Sequence, residues 1–220
     1  MNSVQNKKVL LTAGPTHEPI DPVRFIGNRS SGKMGYAIAL ELANKGALVT
    51  LVSGPTNLKI EHSKIKLIKV ETAQQMYDAC HLYFADMDIA ILSAAVADYT
   101  VANTSSIKIK KKSDTDDLVL TLTKTKDILK SLGQIKTKNQ ILVGFALETN
   151  DELANAQKKL SAKNLDFIVL NSLNDKGAGF AHDTNKISIL DKSNKTTNFE
   201  LKTKAKVAED IVYYLEKHYL

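Results

Sequence analysis

Apolar residues alternate along this chain between short continuous runs and longer stretches in which they recur at helical spacing. Lys8-Val-Leu-Leu-Thr12 is such a run and stops at Ala13-Gly14-Pro15, which predicts a buried strand followed by a breaker. Met34, Ala37, Ile38, Glu41 and Leu42 then fall at helical spacing, apolar mainly on one stripe, and Gly46 closes the segment. The hydroxyls of Ser30-Ser31 are placed to cap that helix, and Gly32 and Gly35 allow close backbone approach. A second apolar run over 47–52 completes a strand, long loop, helix and strand, the unit that builds parallel sheets. The long first loop then lies at the carboxyl edge, where such sheets bind ligands.

The same alternation continues. It predicts strands over 65–70, 89–93, 140–146 and 166–170, helices over 73–84 and 151–163, and a strand packing one face over 117–123. Segments 186–191 and 197–201, joined by Ser193-Asn194-Lys195, read as a terminal hairpin ahead of a last helix over 204–217. Residues 1–7 read as a polar, flexible leader and 8–220 as one continuous α/β domain.

Composition narrows the function. With 220 residues and 43% hydrophobic content the chain has ample material for a core. The net charge of +6 comes from dispersed lysines, densest at Lys108, Lys110, Lys111 and Lys112, and no nucleic-acid motif accompanies them, so a small anionic substrate is the economical partner. Cys80 stands alone in a helical pattern and reads as a packing residue. His17, His62, His81, His182 and His218 show no metal-ligand spacing, so no dedicated metal site is expected. With no signal sequence and no apolar run near membrane-spanning length, the expectation is a soluble, cytoplasmic protein.

Against 30 Lys+Arg, the only arginines are Arg24 and Arg29, both in the first loop. A guanidinium grips phosphate or carboxylate through a rigid fork, so the pair points to anion recognition. The helix start that follows suits a phosphate. A dinucleotide cofactor fits poorly: no Gly-x-Gly-x-x-Gly follows the first strand, and the second ends Val52-Ser53-Gly54-Pro55 without a ribose-binding acid. Asp98 at the end of the 89–93 strand could accept hydrogen bonds from a sugar or base. Lys108 and Lys110 share a face if extended, and Phe145 is followed by Lys159 and Lys163, four apart on one helical face. Taken singly, each is also an ordinary turn, surface or core residue.

Together, the segment Gly14 through Gly35, Ser93-Ala-Ala-Val-Ala-Asp-Tyr99, Ile107-Lys-Ile-Lys-Lys111, Gly144-Phe-Ala-Leu-Glu-Thr149 and Lys159-Leu-Ser-Ala-Lys-Asn164 resemble the phosphopantothenoylcysteine synthetase family, the phosphopantothenate–cysteine ligases of coenzyme A biosynthesis. The likeness runs over nearly the whole chain. It implies a Rossmann-like scaffold on which 4′-phosphopantothenate is activated by a nucleoside triphosphate, with Mg²⁺ carried by the phosphates, and the acyl nucleotide is then captured by L-cysteine. By resemblance, Asn28 and Lys108 are catalytic, and Arg24, Ala95, Gly14, Ser31 and Gly32 border the substrate, some from a neighbouring subunit of a homodimer. Ser93, Ala94, Asp98, Lys108, Lys126, Asp127, Ile128, Phe145, Lys159 and Lys163 match nucleotide-contacting positions, although the family usually has proline where this chain has Lys126. The Pro22–Asn28 version of the loop resembles the bacterial, CTP-using branch, in which the unit is often fused behind a flavin-containing decarboxylase. An ATP-using ligase, an NAD(P)-dependent oxidoreductase and a nucleotide-binding module without turnover are the alternatives.

Overall fold

The computed structural model describes residues 3–111, 117–148, 151–172 and 183–220. In chain order the elements are β1 (Lys8–Ala13), β2 (His17–Pro19), β3 (Phe25–Gly27), α1 (Lys33–Asn44), β4 (Leu48–Ser53), β5 (Ile65–Lys69), α2 (Ala73–Phe84), β6 (Ile89–Leu92), β7 (Tyr99–Val101) and β8 (Leu122–Lys124). They continue with α3 (Ile128–Ile135), β9 (Ile141–Glu148), α4 (Glu152–Ala162), β10 (Phe167–Ser172), β11 (Thr184–Asn185), β12 (Ile187–Asp191), β13 (Thr196–Asn198), β14 (Lys202–Thr203) and α5 (Lys204–Tyr219).

An eight-stranded sheet carries the fold in the order β13-β12-β10-β9-β6-β1-β4-β5. From β5 to β10 all neighbours are parallel, and the hairpin β12–β13 adds antiparallel strands at one edge. Read by chain position, the parallel part runs third, second, first, fourth, fifth, sixth. This is the Rossmann-like arrangement, with its direction reversal between β1 and β6.

Side-chain alternation divides the core in two. Val9, Leu11, Val49, Leu51, Val143, Phe167 and Val169 face α1 and α5, where Ile38, Leu42, Val207 and Ile211 bury against them. Leu10, Val52, Ala90, Leu142 and Ile168 face α2, α3 and α4, meeting Met76, Phe84, Leu132 and Leu160. Strands buried on both faces explain the unbroken apolar runs of the sequence. Cys80 lies in the second cluster, and burial pushes its thiol up to about 12, consistent with a packing role.

Several expectations are corrected. The leader is held from Ser3 onward: Val4 is fully buried, and the amide of Asn6 donates to Gly46 O. Ser30 and Ser31 do not cap α1, whose cap is Gly32 in the left-handed region with no side-chain bond, while Ser30 Oγ accepts from Gly32 N. The strand expected over 117–123 shrinks to exposed β8, which pairs with β7 outside the main sheet and leaves Leu118, Val119 and Leu122 exposed. The β2–β3 ribbon, strand β7 and helix α3 have no counterpart in the apolar pattern. Helix α3 is short and is set by its cap, Asp127, which accepts from Lys130 N. Lys112 and Thr149 lie outside the described residues.

Candidate active site

The strand order reverses between β1 and β6, and the loops that follow their carboxyl ends are stitched together. Ser93 Oγ donates to Thr12 O at 2.6 Å, Ala95 N to Gly14 O at 2.9 Å, and Ala97 N to Thr16 Oγ1 at 2.9 Å. Asn28 joins them through its amide nitrogen, which donates to Ala95 O at 3.0 Å and Val96 O at 3.2 Å. At Gly35 a methyl group would sit 2.6 Å from Ala13 Cβ and 2.7 Å from Ser93 Oγ, so only glycine lets α1 close on both strand ends. Gly35→Ala is expected to cost about 1–3 kcal/mol and to lower the thermal midpoint accordingly. An unchanged melting curve contradicts this close approach.

Above these strand ends opens a cavity of about 700 Å³. Asn28, Ser31, Gly32, Ser93, Ala94, Ala95 and Asp98 line it from the β1 and β6 loops, and Lys126, Asp127, Ile128, Phe145, Lys159 and Lys163 from the β9, α3 and α4 side. The volume is in the range of ligand sites.

The electrostatics of the second wall are set locally. Asp127 takes Lys163 Nζ at 2.8 Å while capping α3. Burial alone would raise its pKa, but the bonds from Lys163 and Lys130 N and the charges of Lys163 and Lys159 outweigh it and keep Asp127 below its ordinary value. Lys159 donates to Phe145 O at 2.7 Å, and Lys126 Nζ sits 4.7 Å over the Tyr77 ring. The positive charge of this wall thus comes from ammonium groups held on a carboxylate, a carbonyl and a ring, and not from the arginine fork, since neither Arg24 nor Arg29 lines the cavity.

Three expected site residues do not line the cavity: Gly14, Arg24 and Lys108. Gly14 lies beneath it, its backbone 3.2 Å from where a Gly32 side chain would begin. Arg24 is committed to Asp21, donating to Oδ2 from Nη2 at 2.5 Å and from Nε at 3.1 Å, and its Nη2 also reaches Ile109 O at 3.0 Å. Ile109 N returns a bond to Asp21 Oδ2 at 3.1 Å. The 107–111 strip carrying exposed Lys108 is thereby clasped to the Arg24 loop, outside the cavity of its own chain.

Among the cavity residues that sequence reasoning did not assign to the site are Lys33, Asn171, Asn185 and Lys204. Lys33 sat in plain view beside Gly32, whereas the burial of Lys204 at the start of α5 has no local signal. Among the described residues no cluster of three His, Cys, Asp or Glu could hold a metal, and no helix is long and apolar enough to cross a membrane.

Residues 4–219 match the family described as the DNA/pantothenate metabolism flavoprotein C-terminal domain. The chain is 55% identical over 209 residues to a prokaryotic protein named cysteine/cysteine sulfinic acid decarboxylase, covering 95% of this chain and 58% of that protein. It is 44% identical over 209 residues to the coenzyme A biosynthesis bifunctional protein CoaBC of Bacillus subtilis (strain 168), covering 95% of this chain and 51% of that protein. It therefore spans about half the length of these curated relatives. The crystal structure of the C-terminal domain of a CoaBC protein superposes with a TM-score of 0.83 at 40% identity, covering 99% of this chain and 97% of that one.

Proposed function

The chain belongs to the family of DNA/pantothenate metabolism flavoprotein C-terminal domains, and on that premise we propose that it joins 4′-phosphopantothenate to L-cysteine at the expense of CTP. The observation that carries this reading is the cavity at the strand-order reversal. It gathers Asn28, Ala95 and Asp98 on one side and Phe145, Lys159 and Lys163 on the other, and these match the roles the sequence motifs imply.

In the first half-reaction the pantothenate carboxylate forms a bond to the α-phosphorus of CTP, and the bond from that phosphorus to the pyrophosphate oxygen breaks. In the second, the cysteine amine adds to the acyl carbon, CMP departs with the former carboxylate oxygen, and the amine loses a proton. Such phosphoryl chemistry needs positioning and charge neutralisation more than covalent help, and the cavity lysines offer both. Mg²⁺ enters with the triphosphate, as part of the co-substrate. The Pro22–Asn28 loop supports CTP over ATP. A cytoplasmic enzyme fits this chemistry.

A homodimer completes the proposal. Val23, Phe25, Tyr99, Ile107 and Val119 are exposed apolar residues on or beside the two ribbons, with Ile107 74% and Val119 85% accessible, and a second copy of the chain would cover them. The clasped arm carrying Arg24 and Lys108 would then enter the partner's cavity. Purified protein is expected to form phosphopantothenoylcysteine with CTP and far less with ATP. Mixing Asn28→Asp with Lys108→Gln protomers restores turnover if one cavity draws on two chains. No restoration from folded, mixed dimers contradicts the shared site.

A further inference from the structure

Past β6 the chain leaves the sheet, and its amides and carbonyls need other partners. Threonine side chains supply several of them. Thr12 Oγ1 accepts from Ala94 N at 3.2 Å, Thr16 Oγ1 accepts from Ala97 N at 2.9 Å, and Thr125 Oγ1 donates to Ala97 O at 2.7 Å. Ala97 is thus gripped at both its amide and its carbonyl, from the loop after β1 on one side and from the approach to α3 on the other. Thr12, Thr16 and Ala97 are all buried.

Thr125 makes a second bond to the same loop. Its amide donates to Asp98 O at 3.0 Å, which extends the β7–β8 ladder past the pairing of Tyr99 with Lys124. Two residues later Asp127 caps α3. Thr125 therefore stands where the Asp98 loop, the root of the β7–β8 ribbon and the Lys126–Ile128 turn meet. Asp98, Lys126, Asp127 and Ile128 all line the cavity, although they come from separate elements. Thr125 lines it too, but its single hydroxyl hydrogen is engaged by Ala97 O, so what it offers a ligand is the placement of its neighbours.

We propose that Thr125 is a positioning residue for the nucleotide, tying the Ala97–Asp98 peptide to the α3 turn so that the Asp98 carboxylate and that turn reach one ligand together. This deepens the ligase reading and rests on it for the identity of the ligand. A nucleotide bound across both elements needs them at one spacing, and a tie made before it arrives spares the cost of ordering them on binding. Thr16 is the fixed wall against which Thr125 pulls, since its hydroxyl holds the other end of Ala97. Valine has the shape of threonine without the hydroxyl. At position 125 it leaves only the backbone bond to Asp98 O between the loop and the turn.

Calorimetric titration of CTP into wild type, Thr125→Val, Thr125→Ser, Asp98→Asn and the Thr125→Val/Asp98→Asn double variant tests this, with KM measured for each substrate and melting curves to verify folding. Thr125→Val is expected to lose on the order of 10-fold in CTP affinity and to raise KM for CTP while KM for phosphopantothenate holds. Thr125→Ser keeps the hydroxyl and is expected to bind CTP as wild type does. In the double variant the loss due to Thr125→Val shrinks, because the carboxylate it positions is gone. Thr125→Ala, which only trims the side chain, keeps the test decisive if valine is not accommodated. Unchanged CTP affinity in the folded variants overturns the positioning role, even where they melt earlier. So does an equal loss in Thr125→Ser, full additivity with Asp98→Asn, or a rise in KM for phosphopantothenate alone. A wild type that binds CTP in this Thr125-dependent way but makes no amide leaves the positioning role standing and removes the ligase reading instead.

Discussion

Replacing Asn28 with aspartate is expected to abolish most amide formation while leaving nucleotide binding in place. The amide nitrogen of Asn28 donates to the carbonyls of Ala95 and Val96, which ties the first loop to the strand end that borders the proposed acyl site. A carboxylate at that position faces two carbonyl oxygens with no proton to offer, so the loop loses its anchor. It also places a negative charge where the acyl phosphate would pass, in a site whose donors serve to neutralise charge. Removing one such preorganised donor typically costs on the order of 10²–10³ in turnover. The base-side wall of Phe145, Lys159 and Lys163 is untouched, so CTP affinity is the internal control. Near-wild-type turnover in Asn28→Asp contradicts the role given to Asn28.

The second large effect is expected at Asp21, a residue that touches no part of the cavity. Its side chain is fully buried. Oδ1 accepts from Val23 N and Arg24 N, each at 2.9 Å, and Oδ2 from Arg24 Nε, Arg24 Nη2 and Ile109 N. In Asp21→Asn either amide orientation sets an N–H₂ donor against donors, so the clasp between the Arg24 loop and the Lys108 strip opens. The expected loss in kcat/KM for phosphopantothenate is on the order of 100-fold, as when one partner of a buried, hydrogen-bonded ion pair is removed. If Asp21 serves only local folding, the variant melts earlier but its remaining folded fraction has normal KM.

The same clasp makes a pH prediction. The Arg24 bond, opposed by burial and helped by the Val23, Ile109 and Arg24 amides, holds the Asp21 carboxyl well below the usual carboxylate range. A carboxyl lowered on folding stabilises the protein fully above its unfolded value of about 3.9 and loses that contribution only as pH falls through the folded value. The stability gap between wild type and Asp21→Asn is therefore expected to stay constant above about pH 5 and to narrow under strongly acid conditions. A gap that varies between neutral and mildly acid pH contradicts the assignment.

The parallel sheet was legible because its strands are buried on both faces and must be continuously apolar, as Val9-Leu-Leu11 and Ile89-Ala-Ile91 are. The Asn28 and Ser93–Asp98 loops were legible because small and polar residues interrupt those runs at strand ends. What escaped was structure made by single polar contacts. Helix α3 depends on the Asp127 cap, and the β2–β3 ribbon is held by Glu18, which accepts from Ala73 N at the start of α2. Arg24 stands out in the sequence as an anion-gripping residue, yet its guanidinium faces Asp21, three residues earlier in the same loop. Lys204 was not recoverable from sequence, because a lysine at a helix start reads as solvated until the fold buries it.

The most direct measurement is pyrophosphate release from CTP with 4′-phosphopantothenate and Mg²⁺, first without cysteine and then with it. The account predicts release before cysteine is added, with the acyl-cytidylate retained, followed by CMP and amide on its addition. Folded protein that binds CTP but releases pyrophosphate under neither condition contradicts the ligase assignment and leaves a nucleotide-binding module in its place.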